Sequence, residues 1–534
     1  MVQKCGYLPL AICLLGGVLR EKKSIFEWES VNEHIKAAIY GDEKQIDGVL
    51  NLSYESLPYY LKPCFLLMGG FNEDENIDAP NLYRSWIAQG MISYENIGDK
   101  DECLMDIAEL YLSELASRSI LQVEIFNDYD AAVRNIKYKT CKLHDVVREL
   151  CLKLGKREDF GVLSLGYKGG KLSTLLREAS SHIKIHHLTI NFRSEVEHEP
   201  TVACGEDTSE HIRSVRLSNL IESNVVEFRP RSIVDFQKFK LLRELVILRF
   251  KFAGGKLPKG ITKLVHLRRL RLEACELDKL PSSMMNLVYM DTLDLSDSMN
   301  VEVPNVFKEI YHEIICMDRM NNLRRFLARI HDNESLSAIM NGIMNWKKIS
   351  DSRVWIDGSC DLTSERMLEK ALTCPNLYEL VITTTLGKAL TKCGNDLLSS
   401  KIRCLDLYGS EIEDDPMWIL GKLPCLIILG LHWESFVGEK LTCPANSFLR
   451  LKKLTLKGLP KLREWRVETG AMPLLSKLSM GECSGLEMIP EGLSGISTLR
   501  TLVIKQMPEL GLRVSPSGQD FHKVRHVSSI IIKD

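Results

Sequence analysis

The sequence lacks any apolar run long enough to cross a bilayer, since a membrane-spanning helix needs about 20 apolar residues. The one candidate, residues 8–19, is followed directly by Arg20, Glu21, Lys22 and Lys23, where a signal-peptide cleavage site would have small residues. This excludes a membrane span and argues against a secretory leader. We predict a soluble protein in which the run forms a buried amphipathic helix.

Paired cysteine spacings and an excess of charge of one sign are also missing. The 16 cysteines are scattered from Cys5 to Cys483 and no two stand three apart, which excludes C-x-x-C zinc and redox sites. Lys+Arg number 69 against 71 Asp+Glu, so nucleic acid or anionic lipid could bind only at a local patch. We interpret the cysteines as reduced, packed thiols of a cytoplasmic protein.

No phosphate-binding loop of the form G-x-x-x-x-G-K-[ST], whose backbone N–H groups cradle phosphates, occurs in the sequence. The nearest matches are the Gly-Gly-Lys sequences at 169–171 and 254–256. Each is followed by Leu, where the motif requires a Ser or Thr that holds a metal ion. No nucleophile elbow, paired carboxylates or metal-ligand spacing stands out. We therefore predict a protein that is not an enzyme and that holds no metal.

What the sequence does contain is an internal repeat of the form L-x-x-L-x-L, with aliphatic substitutions. In the last six copies the spacing is 25, 24, 25, 24 and 24 residues. The first positions of the twelve copies are Ile185, Ile212, Leu242, Leu267, Met290, Leu323, Leu377, Ile402, Leu426, Leu451, Leu475 and Leu499. A degenerate copy is expected near 346–356. This periodicity predicts a leucine-rich-repeat array.

Each repeat alternates with a period of two, so its leucines face a core while the residues between them face outward. Stacked repeats then share one core and form a curved parallel sheet, a horseshoe-shaped solenoid. Cys275 and Cys483 follow the last apolar position of their strands by three residues and are predicted to turn inward. We expect the outward, concave positions to bind a protein partner. The candidates are Arg269, Arg271, Asp294, Asp406, Tyr408, His432, Trp433 and Lys453.

Residues 1–160 show the patterns of helices that enclose one hairpin. Apolar periodicity predicts helices over 47–56, 61–68, 81–89, 106–118 and 144–154. The alternation over 121–126 predicts a strand, and 136–143 is its expected partner. Helices followed by a small hairpin and a further helix indicate a winged helix. The predicted fold class is therefore α/β, with a helical segment, a winged helix and a repeat solenoid.

This half contains several short sequence blocks that precede the repeats. They are C-G-Y-L-P-L-A-I at 5–12, L-S-Y-E-S-L-P at 52–58, L-K-P-C-F-L-L-M-G at 61–69, F-N-E-D at 71–74, L-Y-R-S-W-I-A-Q-G at 82–90 and L-H-D at 143–145. In residues and in order, these blocks resemble the motifs of plant intracellular immune receptors, the nucleotide-binding leucine-rich-repeat family with a coiled-coil amino terminus. The sequence departs from the family pattern at Tyr7, usually Gly, and at Leu143, usually Met.

The resemblance implies that Pro9 lies against the adenine of ADP and that His144 hydrogen-bonds its β-phosphate. In the family, bound ADP clamps the helical and winged-helix subdomains, and exchange for ATP releases them. Because the phosphate loop is missing, we expect this chain to bind ADP or ATP weakly or not at all. The implied partner is a pathogen effector or a guarded host protein, with the nucleotide-binding domain of a related receptor as another possibility.

The resemblance also suggests domain boundaries: a remnant of the family's NB-ARC helical subdomain at 1–70, a winged helix at 71–160, a linker at 161–180 and repeats at 181–534. It places Met1 in mid-domain, so we expect an amino-terminally truncated receptor. Three alternatives stay open, namely a non-signalling truncated product, a secreted repeat protein and a winged-helix nucleic-acid binder. The last is disfavoured by Asp145 and Glu149 beside Arg148, and no nucleic acid is expected as a partner.

Overall fold

A computed structural model describes Cys5 and the ranges 7–40, 45–92, 104–126, 136–167, 184–192, 210–220, 226–228, 236–277, 280–295, 322–330, 332–346, 348–363, 367–393 and 395–533. The chain divides into two compact units. The first comprises Met1–Ala253, Pro258–Leu272 and Tyr289–Asp291, and the second comprises Gly254–Leu257, Glu273–Val288 and Thr292–Asp534. The helical segment, the winged helix and the first repeats therefore share one unit.

Apart from α2, the helices described in the first unit lie where the apolar pattern predicts them. They are α1 Pro9–Arg20, α2 Ile25–Tyr40, α3 Gln45–Glu55, α4 Leu61–Met68, α5 Ala79–Gln89, α6 Leu104–Ser117 and α7 Asp145–Arg157. The amino-terminal apolar run is α1, which buries Leu14, Leu15 and Val18. Trp86 of α5 is fully buried and donates its indole N–H to the Cys64 carbonyl at 3.2 Å. A shared apolar core thus ties α5 to α4.

The predicted hairpin is confirmed. Strand β1 covers Ile77–Asp78, β2 covers Leu121–Ile125 and β3 covers Tyr138–Leu143. Both β1 and β2 pair antiparallel with β3, and the sheet order is β1-β3-β2. With α5, α6 and α7 around it, this small sheet has the arrangement expected of a winged helix.

The repeats of the first unit form parallel strands. They are β4 Gly161–Tyr167, β5 Ile185–Phe192, β6 Ser214–Asn219, β8 Glu244–Leu248 and β10 Arg269–Glu273, and they lie side by side in that order. A second, short parallel pair consists of β7 Val226–Phe228 and β9 Phe250–Phe252. The expected linker at 161–180 needs correction, because β4 fills its first seven residues and pairs with β5. The rest of that segment lies outside the described residues.

The second unit continues the repeat pattern. Its sheet contains, in order, β11 Thr292–Asp294, β12 Arg325–Ile330, β13 Asp351–Ile356, β14 Glu379–Ile382, β15 Cys404–Tyr408, β16 Ile428–His432, β18 Lys453–Lys457, β20 Lys477–Gly481, β21 Thr501–Lys505 and β22 Ser529–Lys533. Strands β17 Lys440–Cys443 and β19 Glu464–Val467 form a separate parallel pair. The helices are α8 Asn333–Asn345, α9 Met367–Thr373, α10 Met417–Leu420, α11 Pro508–Val514 and α12 Phe521–Val524.

All twelve predicted repeats coincide with a strand, and their inward positions are buried. The degenerate copy is β13, which pairs with β12 and β14. In this strand Ser352 occupies a position that is apolar in the other repeats. Its side chain is fully buried, and its hydroxyl donates a hydrogen bond to the Asn376 carbonyl. A buried hydroxyl with a hydrogen-bond partner replaces the leucine, which explains why the sequence pattern did not locate this strand. Cys275 and Cys483 are buried as predicted, and the Cys483 thiol donates to the Gly481 carbonyl at 3.3 Å.

Candidate functional site

The first candidate site is a buried ion pair on the sheet of the first unit. Arg269 Nη1 lies 2.7 Å from Glu244 Oε1, and the two side chains are 2% and 4% exposed. The same carboxylate accepts hydrogen bonds from Ser85 Oγ at 2.6 Å and from Ser214 Oγ at 3.2 Å. A charge pair can be this deeply buried only when further hydrogen bonds satisfy it, and Glu244 has them.

Helix α5 of the winged helix covers this pair. Arg269 Nη1 donates to Ser85 Oγ at 2.8 Å, and Nη2 donates to Asn81 Oδ1 at 3.0 Å. Gln89 Nε2 donates to the other Glu244 oxygen at 3.4 Å. Asn81, Ser85 and Gln89 are spaced by four residues, so one polar stripe of the helix faces the sheet. We call Asn81, Ser85, Gln89, Glu244 and Arg269 the docking network.

Local sequence fixes both ends of α5. Asp78 caps the amino terminus by accepting from the Asn81 N–H at 2.9 Å, and Pro80 occupies the first turn. Gly90 ends the helix in the left-handed region, with φ of 77°, which a residue with a side chain rarely adopts. Arg243 then donates to the Gln89 carbonyl at 2.5 Å, where a cation complements the helix dipole.

Contacts on the amino-terminal side of α5 extend this docking to the neighbouring strands. Asn191 of β5 donates to Asn72 Oδ1 at 2.6 Å. Arg216 of β6 donates to Glu75 Oε1 at 2.7 Å, and its guanidinium lies 4.9 Å from the centroid of the Phe71 ring. Residues 71–89 therefore contact outward positions of β5, β6, β8 and β10 in turn.

The same face carries a buried histidine. His187 of β5 is in register with Ser214, which is in register with Glu244. Its ring stacks on Phe160 with centroids 4.7 Å apart. Burial, with a further contribution from His186 and nearby arginines, lowers the pKa of His187 to about 3. The imidazole is therefore neutral at physiological pH.

Two further predicted contact residues are also less accessible than expected. We expected Arg269, Arg271 and Asp294 to lie on an open concave surface. Arg269 instead belongs to the docking network, Asp294 is only 3% exposed and Arg271 is half-buried. The alternation of the repeat correctly placed Arg269 on the outward side of its strand, but another part of the chain covers that side.

The second candidate site is a row of aromatic rings in the second unit, formed by Trp355, Tyr408, His432 and Trp433, here called the aromatic row. Tyr408 stacks on His432 with centroids 4.4 Å apart and planes 11° apart. Trp355 and Trp433 flank Tyr408 at 6.2 and 5.5 Å. The Arg329 guanidinium lies 4.9 Å from the Trp355 centroid. Trp433 is 50% exposed, so the row ends in an accessible ring.

A glycine makes room for a polar contact beside this row. Asp406 Oδ1 lies 3.3 Å from His432 Nε2, with Gly430 between them in the strand register. A Cβ at Gly430 would lie 2.1 Å from Asp406 Oδ1 and 2.3 Å from His432 Nε2. Burial, and then the charge of Asp406, raise the pKa of Tyr408, whose hydroxyl therefore stays neutral. The sequence analysis missed the role of Gly430, although a glycine at an outward strand position is itself a signal of close approach.

Lysines flank the aromatic row. Lys457 Nζ lies 4.7 Å from the Trp433 ring centroid, and Lys453 is half-buried on the same strand. Lys477 stands directly beside Lys453 in the register of β18 and β20. As partner-binding residues, Asp406, Tyr408, His432, Trp433 and Lys453 stay predictions, since their roles rest on placement alone.

The two residues implied to contact nucleotide are both exposed. Pro9 begins α1, and His144 is the N-cap of α7, where its Nδ1 accepts from the Val146 N–H at 3.3 Å. This leaves the His144 Nε2 side of the ring as the one able to contact a ligand. Neither residue is accompanied in the sequence by a phosphate-cradling loop. The contact of Pro9 and His144 with a nucleotide stays a prediction.

Comparison with known proteins agrees with this architecture. The winged-helix domain of disease resistance proteins matches residues 71–151, which include α5 and the hairpin. A probable disease resistance protein of Arabidopsis thaliana, RXW24L, is 30% identical over 99% of this chain and 60% of its own length. The probable disease resistance RPP8-like protein 2 of the same plant is 31% identical over 99% of this chain and 61% of its own length.

The chain spans about 60% of the length of these curated relatives. Among solved structures, a leucine-rich-repeat protein of Leptospira interrogans aligns with 69% of this chain and 100% of its own, at 14% identity and a TM-score of 0.38. Within the described part of the chain, no helix has the length and apolarity that a membrane crossing requires. In its winged helix, its repeats and its similarity along the whole sequence, the chain is similar to plant disease resistance proteins.

Proposed function

We propose that this chain is the recognition and restraint part of a plant immune receptor, in which the first repeats hold the winged helix in a docked position. The observation that carries the proposal is the docking network. Separating α5 from the sheet would remove the hydrogen bonds that join Asn81, Ser85 and Gln89 to this ion pair, and a hydrogen bond to a charged group contributes about 1.5–3 kcal/mol. An activating partner must therefore favour the undocked state by a comparable free energy.

The proposed partner is a protein, either a pathogen effector or a guarded host protein, bound by outward residues of the second unit. The aromatic row and the lysines beside it support this, because exposed aromatic rings next to charged side chains are typical of protein interfaces. The nucleotide-binding domain of a related receptor is a further proposed partner. We propose no catalytic activity.

For nucleotide, the proposal is weak binding or none by this chain alone. Pro9 and His144 are exposed, but the sequence supplies no loop of backbone donors for the phosphates. Titration of the purified chain with fluorescent ADP should give no saturation below millimolar concentration. Micromolar or tighter binding would contradict this, and a His144→Ala variant would then show whether that residue contributes.

The proposed location is the cytoplasm. Thirteen cysteines of the described part of the chain carry free thiols, and most of them are buried. Disulfides form and persist in oxidising compartments, so free thiols in this number support a reducing one. Fractionation of plant cells that express a tagged chain tests this, and enrichment in the apoplast would contradict it.

The restraint is tested by changing the docking network in the full 534-residue chain. Glu244→Lys places a second cation beside Arg269, so we expect at least tenfold faster amide hydrogen exchange across α5. Gln89→Ala removes two long hydrogen bonds, to Glu244 and to the Arg213 carbonyl, and should accelerate exchange less. Glu434→Lys makes the same charge change at an exposed position of the second unit and should leave α5 unchanged.

The functional readout is defence-associated cell death after transient expression in leaves. We expect it to rise in the order wild type, Gln89→Ala, Glu244→Lys, with Glu434→Lys at the wild-type level. If Glu244→Lys unfolds the first unit, its faster exchange does not report on the docking of α5. Gln89→Ala is a milder change, so it tests the restraint in that case. Unchanged exchange of α5 in both network variants would refute the restraint.

A further inference from the structure

Three arginines stand side by side at the start of consecutive strands in the first unit. Arg213, Arg243 and Arg268 directly precede β6, β8 and β10. The backbone N–H of Arg243 donates to the Arg213 carbonyl at 2.8 Å, and that of Arg268 donates to the Arg243 carbonyl at 2.8 Å. Because hydrogen-bonded strands lie about 4.8 Å apart, the three residues start from one small area of the sheet. We call Arg213, Arg243 and Arg268 the arginine cluster.

Two of these side chains converge on the carboxyl end of helix α5. Arg243 Nη1 donates to the Gln89 carbonyl at 2.5 Å. A Cβ built at Gly90 would lie 3.5 Å from Arg243 Nη1 and 3.6 Å from Arg268 Nη1, so both guanidinium groups border the same point. Burial, and then the charges of Arg268 and Arg213, lower the pKa of Arg243. The three like charges are therefore close enough to repel one another.

No carboxylate of the described part of the chain balances these charges. Among the described residues, none of the three guanidinium groups forms an ion pair. Glu210, three residues before Arg213, pairs instead with Lys240 at 3.1 Å. Asp291 takes the same position in the next repeat, so the cluster ends at Arg268. Arg213 is exposed and the other two arginines are half-buried, so an ion in solvent can reach the cluster.

The same position in the last repeats of the second unit provides a contrast. Arg500 directly precedes β21, and its backbone is hydrogen-bonded to Ser476 on one side and to Ser529 on the other. A single exposed arginine between two serines has no neighbouring cation at this position. The cluster is therefore a property of particular repeats in the first unit and does not follow from the repeat pattern itself.

The chemistry of the cluster suits a phosphate group. An arginine guanidinium presents a planar fork of N–H donors that binds phosphate through two parallel hydrogen bonds. A phosphorylated side chain carries about 1.5–2 negative charges at pH 7, whereas a carboxylate carries one. The carbonyl end of α5 would by itself disfavour an anion, but Arg243 already binds the Gln89 carbonyl there. Three neighbouring cations without a counter-charge thus match a phosphate better than a carboxylate.

We propose that the arginine cluster binds a phosphate group, carried either by a free phosphate ion or by a phosphorylated segment of a protein. The phosphate oxygens accept hydrogen bonds from Arg213 and Arg268, and the negative charge offsets the repulsion around Arg243. This goes beyond the proposed function, which concerns a protein partner of the second unit and the docking of α5.

The test is isothermal titration calorimetry of the full 534-residue chain at low salt. The two probes are inorganic phosphate and a seven-residue peptide with one phosphoserine among alanines and glycines. We expect at least one of them to bind with a Kd of about 1 mM or tighter, and more weakly as salt rises. Tighter binding of the peptide assigns the site to a phosphorylated protein. Equal or tighter binding of inorganic phosphate assigns it to the free ion.

Acetate is the control for general attraction of anions. It carries one charge on a planar carboxylate, so it should bind at least tenfold more weakly than the better phosphate probe. Equal binding of acetate would overturn the proposal. So would the lack of saturation by both phosphate probes up to about 10 mM.

Variants separate the cluster from general positive charge. Arg213→Gln with Arg268→Gln should weaken phosphate binding at least tenfold, and Arg243 is left in place because it also binds α5. Arg450→Gln with Arg500→Gln makes the same change in net charge at two exposed arginines of the second unit and should have no effect. Far-ultraviolet circular dichroism checks that both double variants stay folded. Equal loss of binding in the two double variants would overturn the proposal.

A further variant tests whether the chain supplies its own anion to the cluster. The sequence that follows Gly90 contains Glu95, Asp99, Asp101 and Glu102. Replacing these four by Gln or Asn should change phosphate affinity by less than twofold to threefold. A tenfold or larger gain would show that these carboxylates are the native partners of the cluster, which would also overturn the proposal.

The outcome can be distinguished from that of the restraint. The Arg213 and Arg268 substitutions leave Glu244 and Arg269 in place, and the docking-network variants leave the cluster in place. Loss of the proposed phosphate binding with faster α5 exchange in the network variants therefore refutes only the phosphate site. Phosphate binding with unchanged exchange in the network variants refutes only the restraint.

Discussion

The outward faces of the two units carry similar residue types but have different environments. In the first unit, Glu244 and Arg269 are almost completely buried beneath helix α5. In the second, Lys505 is exposed at an outward position of β21, and Trp433, directly after β16, is half exposed. The same alternation thus produces an internal docking surface in one region and an accessible surface in the other. What decides the difference is which other segment of the chain packs on the strands.

The largest expected effect comes from removing one partner of the buried pair. Arg269→Ala leaves the Glu244 carboxylate buried without its cation, so we expect the free energy of unfolding to fall by about 3–5 kcal/mol. Chemical denaturation followed by circular dichroism measures this. Lys505→Ala removes a cation at an exposed outward position of the second unit and should change stability by about 0.5 kcal/mol or less.

A double variant sharpens this test. Glu244→Gln with Arg269→Met removes both charges and keeps the volume, so most of the lost stability should return, because the cost lies in an unpaired buried charge. If the double variant is as unstable as Arg269→Ala, packing against α5 rather than charge pairing explains the loss.

An intermediate effect is expected from pH. Burial depresses the pKa of His187 to about 3, whereas an unfolded chain has a histidine pKa of about 6.5. At a pH between these two values, the unfolded chain binds a proton at His187 and the folded protein does not. The contribution of His187 to the free energy of unfolding is therefore fully present above pH 6.5 and is lost as the pH drops. From pH 6.5 to pH 5 the loss should be about 2 kcal/mol, at 1.36 kcal/mol per pH unit.

The control for this pH dependence is His187→Phe, which keeps the ring against Phe160 but cannot titrate. Between pH 6.5 and pH 5, the free energy of unfolding of this variant should fall by about 2 kcal/mol less than that of the wild type. Parallel slopes for the two proteins would show that His187 is not the group responsible.

The smallest effect is expected at Gly430. In Gly430→Ala the new methyl group overlaps the ends of the Asp406 and His432 side chains, both of which can rotate away. We expect a loss of about 1 kcal/mol, at the low end for overpacking. Unchanged stability would show that the Asp406–His432 contact does not contribute to it.

Much of the architecture could be predicted because it depends on local periodicity. The helix at 61–68, the hairpin and the twelve repeat strands all follow from apolar spacing, which sets the buried face of each element whatever its neighbours are. The strand β13 was expected only as a degenerate copy near 346–356, because Ser352 replaces an apolar residue and is satisfied by a hydrogen bond that the sequence does not display. The strand β4 was not predicted, because no earlier repeat in the sequence establishes a spacing that would identify it.

The sequence by itself determined that residues such as Arg269, His432 and Lys453 lie on the outward side of parallel strands, because a strand places alternate side chains on opposite faces. Only the tertiary structure decided which of those positions stay accessible. Asn81 and Arg269 are separated by 188 residues, and their contact depends on where α5 packs, which no local pattern encodes. Burial by distant segments, rather than residue type, therefore separates the docking network from the accessible outward positions of the second unit.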